Sequence, residues 1–176
     1  MINALNKFSR NVAVPEIRIE KMEPGDVEEI LTIESVSFPT PWSRNLFLQE
    51  LKNPLARSLV AKIRNADCDE IAGYINYWIV MDEVHLQHIA TRTDLRRSGI
   101  ASLLCREMMN RAWKEGASHI VLEVRRSNAG AIAFYKRFAF EVKGIRPGYY
   151  DDTHEDALIM WVDVTRTRNP LNDAAK

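Results

Sequence analysis

The chain has 176 residues; 46% are hydrophobic and 27% are charged, and 24 Lys and Arg residues balance 24 Asp and Glu residues. This length and composition predict one globular domain with its own core and exclude the collagen-like, coiled-coil and disordered classes. The zero net charge argues against a nucleic-acid binder that works through overall basic charge. Two cysteines, Cys68 and Cys105, frame neither a metal site nor a disulfide scaffold.

The start of the chain and its most apolar segment bear on where the protein works. The first residues carry no apolar run of the kind a signal peptide needs, and the apolar segment at 71–81 is too short to span a bilayer. We therefore expect a cytoplasmic protein that does not enter a membrane. We expect residues 1–15 to be a polar extension, residues 16–164 to be one domain, and residues 165–176 to be a tail.

The first half of the chain predicts one strand, two helices and three further strands. Ile17 and Ile19 alternate with charged residues, as in a half-buried strand, and Ser43 precedes apolar residues at helical spacing, as an N-cap does. Turn-forming residues separate the segments. The predicted elements are a strand at 16–22, a helix beginning at Pro24-Gly25-Asp26, a helix following Ser43, and strands at 57–64, 71–80 and 83–91.

The second half of the chain predicts a long helix followed by alternating strands and one short helix. Ile100, Leu104 and Met108 share one helical face, and Gly116 is typical of a helix C-terminus. After this helix come a strand at 119–125, a helix opened by Ser127-Asn128, and strands at 140–145 and 156–164. The order β-α-α-β-β-β-α-β-α-β-β predicts a mixed α/β sheet with helices on both faces.

The segment RRSGIA, at residues 96–101, joins a predicted strand to the long helix. Gly99 and Ala101 are small, so a ligand can approach the backbone closely, and the first helical turn offers free N–H groups at the positive end of the helix dipole. Arg96 and Arg97 add charge, so the segment predicts a phosphate or pyrophosphate site. The alternative is a connecting loop that happens to carry arginines, since the segment matches neither the Walker loop nor the GxGxxG fingerprint.

The same segment follows the pattern R-x-x-G-x-A, which resembles the acetyl-CoA-binding motif of the GNAT superfamily of N-acetyltransferases. Further segments resemble, in order, the RimI-type ribosomal-protein alanine N-acetyltransferases. They are FPTPWS at 38–43, HIATRTDLRRSGIASLL at 88–104, LEVRRSNAGAIAFYKRFAF at 122–140 and YYDDTHEDALIM at 149–160. The resemblance covers residues 16–164. It implies a GNAT-like mixed, mostly antiparallel sheet with helices on both faces, and acetyl-CoA as cosubstrate.

The resemblance also implies a role for each residue that matches a motif. Glu123 would accept the proton of the acceptor amine, and Tyr135 would donate a proton to the leaving thiolate. The residues that would bind acetyl-CoA are Ile89, Ala90 and Thr91 through their backbone, Arg96, Arg97, Ser98, Gly99, Ile100, Ala101 and Ser102 at the pyrophosphate, and Asn128 at the cofactor arm. No metal is expected, because His85 and His88 are three apart on a predicted strand and should face opposite sides.

Each catalytic candidate has a purely structural alternative. Glu123 lies in an apolar strand, where burial would raise the pKa of its carboxyl toward neutrality, but it could instead face water or pair with Arg125 or Arg126. Tyr135 could be a core aromatic, and Asn128 could be only a helix cap. Proton transfer from a phenol of ordinary pKa to a thiolate is unfavourable by about 2 kcal/mol, which is small enough for the step to proceed.

The expected reaction is direct transfer of the acetyl group to the N-terminal alanine of a small-subunit ribosomal protein. An α-amine has a pKa of about 7.7–8.0 and a lysine side chain one of about 10.4, so an N-terminal amine needs only a weak base at cellular pH. The alternatives are a GNAT enzyme for lysine or a small-molecule amine, and a non-catalytic acyl-CoA-binding module. The expected partner is the acceptor's N-terminal peptide and not nucleic acid. The sequence leaves the oligomeric state open and favours a monomer.

Two local features qualify the resemblance. An acidic cluster, made of Asp151, Asp152, Glu155 and Asp156, could attract a basic acceptor peptide, and its alternative is a solvated acidic loop. Ala139 stands between Phe138 and Phe140, where the family pattern usually has a glycine. This departure predicts a helix end of different shape.

Overall fold

One seven-stranded sheet joins the described part of the chain, residues 16–64 and 69–165, in this computed structural model. The strands are β1 (Ile17–Lys21), β2 (Ala56–Arg64), β3 (Asp69–Val80), β4 (Glu83–Thr91), β5 (His119–Arg125), β6 (Glu141–Tyr150) and β7 (Glu155–Asp163). The α-helices are α1 (Val27–Ser37), α2 (Arg44–Glu50), α3 (Ile100–Lys114) and α4 (Ala129–Lys136). The elements follow one another in the order that the sequence predicts. The predicted extension at 1–15, the tail beyond residue 165 and Cys68 lie outside the described residues.

The strands are arranged in the order β1-β2-β3-β4-β5-β7-β6, and every neighbouring pair is antiparallel except β4 and β5. The expected mostly antiparallel mixed sheet is therefore confirmed. β4 and β5 run parallel, and α3 forms the crossover that such a pair requires. β6 differs from the prediction, because it runs through Pro147 to Tyr150 instead of ending at 145. Proline is tolerated there since β6 is an outer strand that pairs with β7 alone.

Hydrophobic cores cover both faces of the sheet. The larger core packs α3 and α4 against one face and includes Leu104, Met108 and Tyr135. The smaller core packs α1 and α2 against the other face around Ile30 and Phe47. Helices on both faces are therefore confirmed. None of the helices within residues 16–64 and 69–165 is long and apolar enough to cross a membrane.

The predicted helix ends are formed by the side chains that the sequence indicates. The Ser43 hydroxyl accepts the backbone N–H of Leu46 at 3.3 Å, and the Asn128 side-chain oxygen accepts the backbone N–H of Ala131 at 3.0 Å. Each bond satisfies a helix N–H group that has no partner within its own helix. These contacts fix where α2 and α4 begin, and α4 begins beside the end of β5.

The end of α4 shows why glycine is usual at residue 139. Ala139 has a φ of 63°, in the left-handed region. The chain reverses there with the N–H of Phe140 donated to the Tyr135 carbonyl at 3.2 Å. This is the backbone conformation in which a Cβ atom is unfavourable. The helix end therefore keeps the conformation expected with glycine, and the alanine adopts it at a cost.

An extra residue in β4 changes which face its side chains occupy. Leu86 pairs with Tyr77 of β3, but the next pair is His88 with Asn76, so Gln87 forms a β-bulge. His85 pairs with Trp78, whose indole N–H reaches Glu50 of α2. The expectation that His85 and His88 face opposite sides is therefore wrong, because the bulge puts both side chains on the α1–α2 face.

Candidate active site

The parallel pair β4–β5 opens into a cleft. The strands pair from Glu83 with His119 as far as Leu86 with Leu122, although β4 continues to Thr91 and β5 to Arg125. A cleft of about 1010 Å³ occupies the gap. On the side of β4 that faces away from β3, the backbone groups of residues 87–91 pair with no strand of the described chain. An extended ligand could pair with this open edge as an additional strand would.

One end of the cleft is the loop before α3. Gly99 is the N-cap of α3 with a φ of 97°, which favours glycine, and no side chain caps the helix. The N–H groups of the first turn are therefore free to bind an anion. Arg96 and Arg97 are exposed and line the cleft, and the Arg96 guanidinium donates to the Ser37 hydroxyl at 3.3 Å. The geometry supports the predicted pyrophosphate site.

Most of the residues predicted to bind acetyl-CoA lie together along this cleft. Its lining includes Ile89, Ala90, Thr91, Arg96, Arg97, Gly99, Ile100, Ala101, Ser102 and Asn128. Ser98 is not among them, because its hydroxyl turns back and donates to the Leu95 carbonyl at 2.5 Å. Helix α3 itself begins at Ile100. The individual binding roles stay predictions.

The floor of the cleft depends on a glycine in β3. A Cβ atom on Gly73 would lie 2.6 Å from the carbonyl oxygen of Ala90, so only glycine lets β3 and β4 approach this closely. Gly73 pairs with Thr91, whose hydroxyl oxygen is buried without a hydrogen-bond partner. An unpartnered polar atom at this edge fits a cleft built to bind a polar ligand.

Glu123 lies on the β5 wall of the cleft and is partly buried, with its side chain 23% exposed. Its carboxylate pairs with Arg146 of β6 at 3.2 Å. The alternative pairing with Arg125 or Arg126 is therefore wrong. The sequence offers no local signal for Arg146, because only the pairing of β6 with β7, and of β7 with β5, brings it near.

Tyr135 also lines the cleft, from α4 on the other face of the sheet. Its ring packs against Phe134 and Phe140 at centroid distances of 5.3 and 5.5 Å. Burial raises the pKa of the Tyr135 hydroxyl, so the phenol stays protonated throughout the neutral range. The side chain is therefore both a core aromatic and a proton-bearing group on the cleft.

Arg125 organises the acidic cluster beside the cleft. Its guanidinium lies 2.7 Å from the Asp152 carboxylate and stacks over the Tyr150 ring at 3.9 Å. The hydrogen bond from Arg125 lowers the pKa of Asp152, and the hydrogen bond from Ser127 lowers the pKa of Glu155. Arg125 and Arg126 thus offset part of the negative charge of the cluster, which weakens the hypothesis that the cluster attracts a basic peptide.

Glu34 is a buried polar residue that the sequence interpretation missed. It is fully buried on α1, where its carboxylate accepts the backbone N–H of Trp42 at 2.8 Å and the hydroxyl of Tyr74. Its burial could have been predicted from the helical spacing, because residue 34 lies seven positions after Val27 and continues the same buried face of the helix. Trp42, which lines the cleft, is held in place by this carboxylate.

Comparisons with known proteins agree with this geometry. The model of the acetyltransferase (GNAT) family matches residues 27–140. A Bacillus subtilis protein is 37% identical over 147 residues, which are 83% of this chain and 95% of that one. The ribosomal protein bS18-alanine N-acetyltransferase of Salmonella typhimurium is 34% identical over 149 residues, or 84% of this chain and 97% of the relative. The crystal structure of the ribosomal-protein-S18-alanine N-acetyltransferase from Escherichia coli superposes with a TM-score of 0.75 at 29% identity, covering 85% of this chain and 94% of that one.

Proposed function

The chain belongs to the acetyltransferase (GNAT) family, and on that premise we propose that it transfers the acetyl group of acetyl-CoA to the N-terminal alanine of a ribosomal protein. One observation carries the proposal. The divergence of β4 and β5 places the anion-binding start of α3, the open edge of β4, Glu123 and Tyr135 along one cleft. The relatives named above, which match nearly the whole described chain, support the choice of acceptor.

The residues of this cleft fit the parts of acetyl-CoA. Arg96 and Arg97, with the free N–H groups of the first turn of α3, would hold the pyrophosphate. The open edge of β4 at residues 89–91 would bond the peptide-like amides of the pantetheine arm, as a neighbouring strand would. Asn128 caps α4 and also lines the cleft, so it can serve both purposes.

Glu123 and Tyr135 would exchange the protons of the transfer. A bond forms between the acceptor nitrogen and the acetyl carbon while the bond from that carbon to sulfur breaks. Glu123 takes a proton from the nitrogen, and the Tyr135 hydroxyl gives one to the departing sulfur. Burial makes Tyr135 a weaker acid than an ordinary phenol, so hydrogen bonding to the sulfur before full proton transfer carries part of this role.

The wider expectations of the sequence fit the same proposal. We propose that residues 16–164 are the catalytic domain, that the acceptor's N-terminal peptide is the partner, and that the reaction occurs in the cytoplasm. Tyr149 and Tyr150 line the cleft from the hairpin that joins β6 and β7, where they can contact an incoming peptide. The ring centroids of these tyrosines are 5.1 Å apart in an edge-to-face arrangement.

The proposal is tested by mass spectrometry of peptides incubated with the protein and acetyl-CoA. We expect one acetyl group on the α-amine of an alanine-initiated peptide, and losses of about 10²–10⁴ in rate for Glu123→Gln and Tyr135→Phe. An Nα-blocked lysine peptide and a polyamine are the competing acceptors. A preference for either competitor would overturn the choice of acceptor, and binding without turnover would indicate a non-catalytic acyl-CoA-binding module.

A further inference from the structure

A second buried pair of titratable side chains adjoins the cleft, formed by Glu34 of α1 and His88 of β4. The Nδ1 atom of His88 lies 3.2 Å from a carboxylate oxygen of Glu34. In the described part of the chain, no Lys or Arg pairs with Glu34. A fully buried carboxylate is costly unless a positive partner and hydrogen bonds compensate it. His88 is the ionisable side chain that lies next to this carboxylate.

The surroundings of His88 leave one edge of its ring toward the cleft. The rings of Phe38 and Trp42 stack on the imidazole at centroid distances of 4.4 and 4.2 Å. Nδ1 is buried 3.2 Å from Glu34 without forming a hydrogen bond within the described residues, and the ring nevertheless lines the cleft. With Nδ1 next to Glu34, the edge of the ring that carries Nε2 is the part left available to the cleft.

The stoichiometry of the reaction calls for a second proton acceptor. An N-terminal amine is largely an ammonium ion at neutral pH, because its pKa is about 7.7–8.0. It must lose one proton before its nitrogen can attack and another as the amide forms. Glu123 accounts for one of these protons. Tyr135 donates a proton to sulfur and therefore accounts for neither.

We propose, on the basis of the function proposed above, that Nε2 of His88 takes the first proton from the acceptor's ammonium group and Glu123 takes the second. The Glu34 carboxylate lies beside Nδ1 and so orients the ring with Nε2, the other ring nitrogen, available to the acceptor. One of the two protons replaces the one that Tyr135 gives to sulfur, and the other passes to solvent through the cleft.

The charged groups around His88 agree with this assignment. Glu34 faces it from α1, with Tyr74 of β3 bonded to the far side of that carboxylate. Glu123 lies across the cleft on β5, and Arg146 neutralises it. Glu34 is thus the carboxylate next to the imidazole. In this proposal Glu34 positions His88, and His88 contacts the acceptor.

The test measures kcat and KM of the full chain with acetyl-CoA and an alanine-initiated peptide between pH 6.5 and 9.5. His88→Gln keeps a polar group of similar length that cannot accept the proton. We expect it to lower kcat about 10²-fold at pH 7, with the KM for acetyl-CoA unchanged. The loss should shrink by about six- to tenfold by pH 9.5, because the amine is then already deprotonated in solution.

Matched variants make the outcome decisive. His119→Gln changes a half-buried, ion-paired histidine outside the cleft and should leave kcat within twofold of wild type. Glu34→Gln should give a smaller loss than His88→Gln with the same recovery at high pH, and His88→Asn replaces His88→Gln if the latter does not fold. A loss that is equal at all pH values, or no loss, overturns the role of His88. A wild-type protein inactive on the alanine peptide overturns the proposed function, and this role falls with it.

Discussion

The two ends of the β4–β5 pair use polar side chains in opposite ways. Where the strands are paired, Glu83 bridges two histidines, with its carboxylate oxygens 2.6 Å from His85 and 2.5 Å from His119. The other ring nitrogen of His119 lies 2.7 Å from the Ser118 hydroxyl. At this closed end the polar groups satisfy one another, and none of these four residues lines the cleft.

At the open end the strands diverge, and polar groups face the cleft instead of each other. Within residues 16–64 and 69–165 the Thr91 hydroxyl has no hydrogen-bond partner, and the Glu123 carboxylate pairs with Arg146 of β6, which β7 separates from β5. The difference teaches that the divergence of the strands leaves Thr91 and Glu123 available to a ligand, whereas the polar groups of the paired end stabilise the fold. The closed end is expected to govern stability, and the open end activity.

The largest expected effect comes from comparing two single variants, each of which removes a carboxylate at one end of the β4–β5 pair. Glu123→Gln should lower kcat by about 10²–10⁴, since it removes an acid–base group, and should change stability little. Glu83→Gln should leave kcat within twofold and lower the free energy of unfolding by about 1 kcal/mol. Steady-state kinetics and denaturant unfolding measure the two quantities. Equal losses of kcat in both variants would break the distinction between the ends.

The next effect tests the floor of the open end. Gly73→Ala should lower the free energy of unfolding by about 1–3 kcal/mol, because the new methyl group would collide with the Ala90 carbonyl. It should also raise the KM for acetyl-CoA, because β4 must move away from β3. Gly25→Ala is the control, since its Cβ would meet nothing within 4 Å. Similar unfolding curves for both variants would contradict the close approach.

A smaller effect, of opposite sign, is expected beside the cleft. Ala139→Gly should raise the free energy of unfolding by about 0.5–1 kcal/mol, because it removes the strain of a φ of 63° and that gain exceeds the added flexibility of the unfolded chain. Denaturant unfolding measures the change, and kcat should stay unchanged because Ala139 does not line the cleft. A destabilised variant would show that the left-handed conformation carries no strain.

The smallest effect concerns the Arg125–Asp152 pair beside the cleft, which is partly exposed. Because Arg125 lowers the pKa of Asp152, the pair stabilises the fold above the unfolded value of about 3.9 and loses this contribution as pH falls through the lower folded value. Asp152→Asn should therefore have a lower Tm than wild type from pH 7 to pH 5. The difference should shrink below about pH 4. A gap in Tm that widens in acid would contradict the pairing.

The sequence pattern predicted the elements well because each depends on neighbours in the chain. Alternation marked β1, helical spacing marked α3, and the caps Ser43 and Asn128 could be recognised from local chemistry alone. The small residues and arginines before α3 likewise indicated the loop that lines one end of the cleft. In each case the residues that decide the structure lie within a few positions of one another.

What the sequence did not predict depends on contacts between distant segments. No local sequence pattern predicts the bulge at Gln87, because an extra residue is defined only by the pairing of β4 with β3. The pairing of Glu123 with Arg146 depends on the order of β5, β7 and β6 in the sheet. Glu34 reaches His88 only because that bulge turns the histidine toward α1.

The outer strand β6 has a consequence for how the protein behaves in concentrated solution. Its free edge carries Val142 and Ile145, which are 43% and 49% exposed and could template the addition of a foreign strand. Pro147 has no amide hydrogen, and the pairing with β7 is irregular between Arg146 and Tyr150, so the ladder offered to an incoming chain is interrupted. The strand that supplies Arg146 to Glu123 is thereby protected against edge-to-edge aggregation.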